Sequence, residues 1–171
     1  MTSAELGVEP AIASALSKLA AIARLKGDLK RAEKLLREAV RMITARGDRG
    51  VLPDLQAELA ATLADVGKVD EAERLADEAR AAASPRDTSC VVAATTALAA
   101  VRTAQGRDEE AEALLKSALA LAEETEFKVL EIEPLERYTR FLRERGRADD
   151  AAAYASRLSE LTPPTSTERI A

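Results

Sequence analysis

A ten-residue pattern that begins with glycine occurs four times along the chain. Its copies are GDLKRAEKLL from Gly27, GKVDEAERLA from Gly67, GRDEEAEALL from Gly106 and GRADDAAAYA from Gly146. The copies start 40, 39 and 40 residues apart, and each carries an alanine five residues after its glycine. Such a near-constant period predicts that the chain is built from one supersecondary unit stacked four times.

Each copy predicts two helices joined by a tight turn. Apolar residues before the glycine follow the spacing of an amphipathic helix, as do Leu16, Leu19, Ala20 and Ala23. Glycine ends that helix because it adopts the left-handed conformation of a C-terminal cap without strain. An aspartate follows in the first turn of the next helix, where its carboxylate is expected to cap free N–H groups. These aspartates are Asp28, Asp70, Asp108 and Asp149.

The predicted architecture is an all-α solenoid of four helical hairpins in one domain, residues 1–162, with a flexible tail at 163–171. The repeats span about 10–47, 51–84, 88–125 and 128–162. The predicted helices are 10–26, 29–45, 53–66, 69–83, 88–105, 108–124, 129–145 and 148–161. Pro10 and Pro53 suit first-turn positions, whereas Pro134 predicts either a helix start or a kink.

Composition supports helices and excludes several classes of function. Hydrophobic residues make up 47% of the chain but aromatic residues only 2%, so the apolar content is mostly alanine and leucine, which favour helices. The net charge of −5 comes from interspersed acids and bases, which argues against nucleic-acid binding. No apolar run reaches the ~20 residues of a membrane span. A lone cysteine favours a reducing compartment, so we expect a cytoplasmic protein.

The residues that usually carry chemistry are scarce. There is no histidine, and Cys90 therefore has no imidazole to activate it; we expect it to be a small buried group. The acidic run Asp108-Glu109-Glu110 lacks the ligand spacing of a calcium loop. Each repeat glycine stands alone, which excludes a phosphate-binding loop. We expect no enzyme activity, no cofactor and no metal.

The repeats resemble the tetratricopeptide repeat family, whose unit is a helical hairpin of ~34 residues with small residues at fixed positions. At the family's three small positions this chain has Ala20, Ala60, Ala99 and Thr139, then Ala32, Ala72, Ala111 and Ala151, and then Ala39, Ala79, Ala118 and Leu158. Pro163 lies where the family has a closing proline. The longer period and Arg102, at a normally apolar position, are departures; the period is similar to that of repeats in large bacterial regulators.

The resemblance implies a right-handed superhelix whose concave face is lined by the first helix of each hairpin. Small side chains on that face are expected to leave room for an extended peptide or a helix. The groove candidates are Ser17, Ala21, Arg24, Asp54, Ala57, Ala61, Thr96, Ala100, Thr103, Glu136, Arg137, Arg140 and Arg143. The arginines of the fourth repeat could bind an acidic group, or Glu133–Arg137 and Glu136–Arg140 could be ordinary helix-stabilising pairs.

Three functions follow as hypotheses. The first is a non-catalytic interaction module that binds another protein or a peptide in the concave groove. The second is a sensory region of a larger regulator that binds a small ligand or peptide. The third is self-assembly, with a homodimer formed through the last helix, whose Tyr154, Leu158 and Leu161 have no ninth helix to cover them.

Overall fold

The computed structural model describes residues 5–162, so the predicted tail at 163–171 lies outside the described part. The eight α-helices of this part alternate as A and B helices of four hairpins. The A helices are α1 (Glu5–Leu25), α3 (Leu52–Asp65), α5 (Thr88–Ala104) and α7 (Ile132–Glu144). The B helices are α2 (Leu29–Arg46), α4 (Val69–Ala82), α6 (Asp108–Glu123) and α8 (Ala148–Leu161). The predicted all-α solenoid is confirmed.

The turn within each hairpin is the one that the glycine predicts. At Gly106 φ is +71°, in the left-handed region, and the N–H donates to the Thr103 carbonyl at 3.0 Å. The next N–H, that of Arg107, reaches back to the Arg102 carbonyl at 2.9 Å. These two bonds satisfy carbonyls that the end of α5 would otherwise leave free. The glycines of the other three copies have the same positive φ.

The repeated alanines lie where the two helices of a hairpin meet. All four, Ala32, Ala72, Ala111 and Ala151, are fully buried. The small residues of the preceding helix, Ala20, Ala60, Ala99 and Thr139, are at most 3% exposed. A small side chain on each side allows the two helix axes to approach closely at this point of the hairpin.

The predicted aspartate caps are confirmed only in the first copy. Asp28 caps α2 by accepting a hydrogen bond from the Arg31 N–H at 3.1 Å. In the other copies the residue after the glycine is Lys68, Arg107 or Arg147, and its side chain makes no cap bond. The remaining aspartates come one or two residues later, inside the first turn. There they suit the positive end of the helix dipole but do not cap it.

The predictions for the three prolines had different outcomes. Pro53 lies in the first turn of α3, as predicted. Pro10 was expected in a first turn, but α1 begins at Glu5 and Pro10 therefore lies inside the helix, where it removes one backbone hydrogen bond. Of the two alternatives at Pro134, a helix start is the one observed. A short 3₁₀ helix, Lys128–Glu131, precedes α7, and Pro134 is the third residue of α7.

The A helices are unevenly packed. α3 and α5 lie against one another along their length, whereas α1 touches α3, and α7 touches α5, only sparsely. The largest cluster of buried side chains has most of its members in the second and third repeats, Leu59, Leu63 and Leu98 among them, and extends into the first repeat at Leu36. The outer A helices are thus held mainly by their own B helices, and a space is left between α1 and α7.

Candidate functional site

A solvent-open cleft of about 860 Å³ lies among α1, α3 and α7. It exists because α1 and α7 are splayed from the central pair of A helices. Its wall combines apolar side chains, such as Leu25, Ile132 and Leu158, with a larger number of charged ones. The volume falls in the range of ligand pockets, ~300–1,000 Å³, and is suited to a short peptide segment or a small molecule.

The structure brings seven of the predicted groove residues together in this cleft: Ser17, Ala21, Arg24, Glu136, Arg137, Arg140 and Arg143. Two more, Ala100 and Thr103, line an adjoining cavity of about 220 Å³ that shares Arg137 and Arg140 with the cleft. The other four, Asp54, Ala57, Ala61 and Thr96, line neither space.

The expectation of an open floor therefore fails at Ala57, Ala61 and Thr96. Ala57 and Ala61 are each 1% exposed and Thr96 is 2% exposed, because α5 packs directly against α3. The small side chains that were expected to leave room for a ligand instead let these two helices approach closely. The Thr96 hydroxyl is used internally and donates to the Val92 carbonyl at 2.7 Å.

A chain of ion pairs crosses the cleft and joins three repeats. Arg137 of α7 donates to Asp65 of α3 through both terminal nitrogens, each at 3.2 Å. Arg140 adds a third bond to Asp65 at 2.8 Å. On the other side, the Glu133 carboxylate accepts from Arg137 Nε at 3.1 Å and from Arg24 of α1 at 2.9 Å. The first and last repeats are thus linked through side chains.

The pKa values of the two carboxylates follow from this arrangement. Burial acts to raise the pKa of Asp65, but the charges of Arg137 and Arg140 outweigh it and hold the pKa below its usual range. Burial likewise opposes ionisation of Glu133, and the charges of Arg24 and Arg137 outweigh it, which lowers its pKa to about 2. Both groups are therefore ionised at neutral pH, and the network consists of full charges.

The arginines of the fourth repeat do not form the free acid-binding cluster that the sequence allowed. Arg137 is only 6% exposed and is fully engaged with Asp65 and Glu133. The predicted pair Glu133–Arg137 is present, but in the described part of the chain Glu136–Arg140 is absent, because Arg140 turns to Asp65. Arg143 is exposed at the cleft.

Two carboxylates in the cleft wall lack a basic partner within residues 5–162. Glu58 of α3 is mostly buried and accepts only a hydrogen bond from Ser17 Oγ at 2.7 Å. Burial raises the pKa of Glu58 to about 7. Burial also raises the pKa of Glu136 of α7, although Arg24 and Arg137 moderate the effect. These acids are the electrostatically unsatisfied part of the cleft.

Sequence reasoning missed Glu58 and Asp65, since Glu58 lies between the α3 positions assigned to the groove and Asp65 lies beyond the last of them. A signal for them exists in the sequence. Asp54, Glu58 and Asp65 are the only charged residues of α3. Their spacing of i, i+4 and i+11 places them within roughly 40° of one another around the helix. Three acids on one face of a helix that has no other charged residue mark that face of α3 as a candidate for polar contacts.

Cys90 is buried as expected, and its thiol also forms a hydrogen bond. Its Sγ donates to the Asp87 carboxylate at 3.3 Å. Burial raises the pKa of the thiol, and the nearby carboxylates of Asp54 and Asp87 raise it further, so a reactive thiolate is disfavoured.

Across residues 5–162, no three His, Cys, Asp or Glu side chains are grouped to hold a metal ion. The same stretch contains no helix with the length and hydropathy to cross a membrane.

The large apolar side chains that remain exposed are not on the last helix. Tyr154, Leu158 and Leu161 of α8 are partly buried against the core of the third and fourth repeats. Exposed apolar side chains lie instead on the outer face of α1, at Val8, Ile12, Leu19 and Ile22, and at Phe127 and Val129 before α7. The homodimer through α8 stays a prediction, but α8 offers it less apolar surface than the sequence suggested.

Arg102, the departure from the family pattern, is also accommodated by an ion pair. Its side chain is 16% exposed and donates to Glu73 of α4 at 2.5 Å and to Gln105 at 2.9 Å. The head group therefore binds the second repeat.

Comparison with known proteins agrees with this architecture. The model of the MalT-like TPR region family matches residues 2–169. None of the curated proteins matches the chain. Among solved structures, a Rap protein complexed with competence and sporulation factor is similar, with a TM-score of 0.69 and 20% identity over 90% of this chain. The chain spans 43% of that Rap protein.

A second solved structure contains nearly identical TPR-like repeats of a putative kinesin light chain from Podosopora anserina. It has a TM-score of 0.56 and 21% identity, covering 92% of this chain and 77% of the other. At these identities both structures show the fold alone. They confirm the resemblance to tetratricopeptide repeats.

Proposed function

The chain belongs to the family of MalT-like TPR regions, and from this premise we propose that it is a non-catalytic interaction module that binds a short peptide segment in the cleft among α1, α3 and α7. The observation that carries the proposal is the cleft itself. It lies on the A-helix face, it is open to solvent, and its wall contains both apolar and charged groups. Peptide grooves combine these features, since apolar pockets supply affinity and polar groups supply orientation.

The structurally similar Rap protein supports the proposal by analogy. It was solved in complex with competence and sporulation factor, and it shares the fold of this chain over 90% of the residues here. A ligand-binding role on this fold is therefore available to the present chain. The uneven packing of the A helices adds a physical reason, because a ligand placed between α1 and α7 would contact two helices that make few contacts with the neighbouring A helices.

A sensory role for a small ligand is the second candidate function. The observation in its favour is the size of the cleft, which at about 860 Å³ lies within the range of small-molecule pockets. A module of this kind in a larger regulator would bind a metabolite or short peptide and shift the spacing of α1 and α7. Saturable thermal stabilisation by a small molecule would support this reading over the first.

The experiment that tests the proposal blocks the cleft without disturbing the core. Ala21 is exposed on α1 and lines the cleft, so Ala21→Arg should fill it while leaving the hairpin intact. Ala120→Arg is the matched control, because Ala120 is exposed on α6 away from the cleft. Partners captured from a lysate by the wild-type chain should be lost with Ala21→Arg and kept with Ala120→Arg. Equal capture by both variants would place the binding site elsewhere.

A further inference from the structure

We propose that the cleft recognises a cationic group on its ligand, the guanidinium or ammonium of a basic side chain in a bound peptide, through Glu58 and Glu136. The inference rests on the proposed function, since it names the chemistry of the ligand for the same cleft. It follows from which charges in the wall already have partners and which do not.

Most charges that face the cleft are neutralised within the protein. Asp65 is paired with Arg137 and Arg140, and Glu133 is paired with Arg24 and Arg137. A ligand that bound to any of these groups would have to replace an existing ion pair. Such an exchange gains little, because the protein already supplies the partner in good geometry.

Glu58 and Glu136 differ from the paired acids. In the part of the chain that the structure describes, neither has a lysine or arginine nitrogen within ion-pair distance, and Glu58 is bonded only to the Ser17 hydroxyl. The charges of Arg24 and Glu133 act on the pKa values of both Glu58 and Glu136, so the two acids face the same region of the cleft from α3 and α7. Arg24 cannot neutralise them, since it is bonded to Glu133.

Burial makes these two acids favourable partners for a cation. A carboxylate removed from water without a basic partner is electrostatically costly, and a cation placed beside it restores much of the lost stabilisation. The exposed bases at the cleft, Lys18 and Arg143, remain hydrated, and an anionic ligand would therefore gain less from them. The asymmetry favours a cationic ligand over an anionic one.

Thr139 is a second and independent indication that the cleft wall can accept a polar ligand. It is 3% exposed and lines the cleft, yet its hydroxyl has no hydrogen-bond partner within residues 5–162. Other threonines on the A helices, such as Thr62, Thr96 and Thr103, donate to the carbonyl four residues earlier. A buried hydroxyl without a partner is unusual, and a polar ligand group or water would satisfy it.

The test uses the full chain and three blocked pentapeptides, Gly-Ala-Xaa-Ala-Gly, with arginine, leucine or glutamate in the central position. Affinities are measured by NMR titration, which also reports where each peptide binds. We expect the arginine peptide to bind about tenfold more tightly than the leucine peptide, a difference typical of one desolvated charge pair. The glutamate peptide should bind most weakly.

Three isosteric variants make the assignment specific. Glu58→Gln and Glu136→Gln should each remove most of the preference for the arginine peptide, because they weaken binding of the arginine peptide more than binding of the leucine peptide. Glu109→Gln is the control, because Glu109 is exposed on α6 and outside the cleft. It makes the same change in net charge and should leave the preference intact. Thermal unfolding of all three variants verifies that each is folded.

The outcomes separate this inference from the function on which it rests. Equal affinities for the arginine and leucine peptides, with cleft resonances shifting for both, would overturn the cationic ligand and leave peptide binding standing. Tightest binding of the glutamate peptide would likewise overturn it and show an anion site. An absence of cleft shifts with all three peptides would count against the proposed function itself.

Discussion

Arg137 on α7 and Asp65 on α3, 72 residues apart in the chain, face each other across the cleft in a two-point ion pair, with both N–O distances at 3.2 Å. The pair joins the fourth repeat to the second without passing through the third. Solenoid repeats usually contact only their neighbours in the stack. This contact is therefore a tertiary feature that the repeat pattern alone does not produce.

Removing one member of this pair should be strongly destabilising. Asp65→Asn leaves the buried Arg137 with only Glu133, and the loss of one partner of a buried pair typically costs ~3 kcal/mol or more. Urea unfolding of the variant should show this decrease. Glu78→Gln is the control, since Glu78 forms an exposed pair with Arg74 and should change stability by less than about 1 kcal/mol. Equal effects of the two variants would mean that the cross-cleft pair contributes no more to stability than an exposed pair does.

The bond between Arg24 and Glu133 should hold α1 close to α7. Within residues 5–162 it is the ion pair that joins these two helices, and their backbones make little other contact. Arg24→Gln should therefore speed amide hydrogen exchange in α1 while leaving α5 and α6 unchanged. Lys116→Gln, which breaks an exposed pair with Glu112 inside α6, is the matched control. Faster exchange throughout the variant would indicate general destabilisation instead.

Glu58 should make stability decrease as the pH rises. Its pKa is raised to about 7 in the folded protein, so the folded state binds a proton more tightly than the unfolded state, where the ordinary value is 4.5. The resulting stabilisation is complete below pH 4.5 and is lost as the pH rises through about 7. Arg24, Asp54 and Glu133 face this carboxylate and do not neutralise it. At pH 8, Glu58→Gln should be more stable than wild type by up to about 3 kcal/mol.

Glu112 should change the pH dependence of stability in the opposite direction from Glu58. Bonds from Lys116, Arg147 and Tyr138 lower its pKa to about 2. Its contribution is therefore present above pH 4.5 and is lost as the pH falls towards 2. Glu112→Gln should reduce stability at pH 8, where Glu58→Gln increases it. Chemical denaturation across pH 2 to 8 measures both effects, and a pH-independent difference for Glu58→Gln would contradict the assignment of a raised pKa.

The repeated alanine should be intolerant of a larger side chain. Ala111 is fully buried between α5 and α6, so Ala111→Leu adds three carbons where no space exists. We expect a loss of about 2 kcal/mol from overpacking, seen as a lower midpoint of unfolding. Ala113→Leu, two residues later on the exposed face of α6, is the control and should be close to neutral. A neutral Ala111→Leu would show that the hairpin can separate without cost.

The glycine of the turn should resist alanine for a conformational reason alone. Gly106 has φ +71°, and a methyl group added there would meet no atom within 4 Å. Gly106→Ala should therefore lower stability by about 1–2 kcal/mol, the cost of a left-handed residue with a Cβ. Gly50→Ala is the control, since Gly50 lacks a positive φ. Thermal unfolding compares the two, and equal midpoints would remove the argument from backbone conformation.

The candidate site was predictable in part. The four A-helix positions of the fourth repeat and three of those in the first were found because the repeat frame assigns residues to faces, and the outer A helices are uncovered. The same frame failed for Ala57, Ala61 and Thr96. It assumes a fixed spacing between neighbouring A helices, whereas these small residues let α5 approach α3 and close the floor.

The sequence by itself determined the units of this protein. The period places the hairpins, the glycines require left-handed turns, and the alanines set the distance between the two helices of each hairpin. These are local consequences of backbone conformation and side-chain size. Only the tertiary structure decided which charges meet, because the pairing of Arg24 with Glu133 and of Asp65 with Arg137 depends on how four repeats stack. That stacking leaves Glu58 and Glu136 without basic partners among the described residues, and so decides the electrostatic character of the cleft.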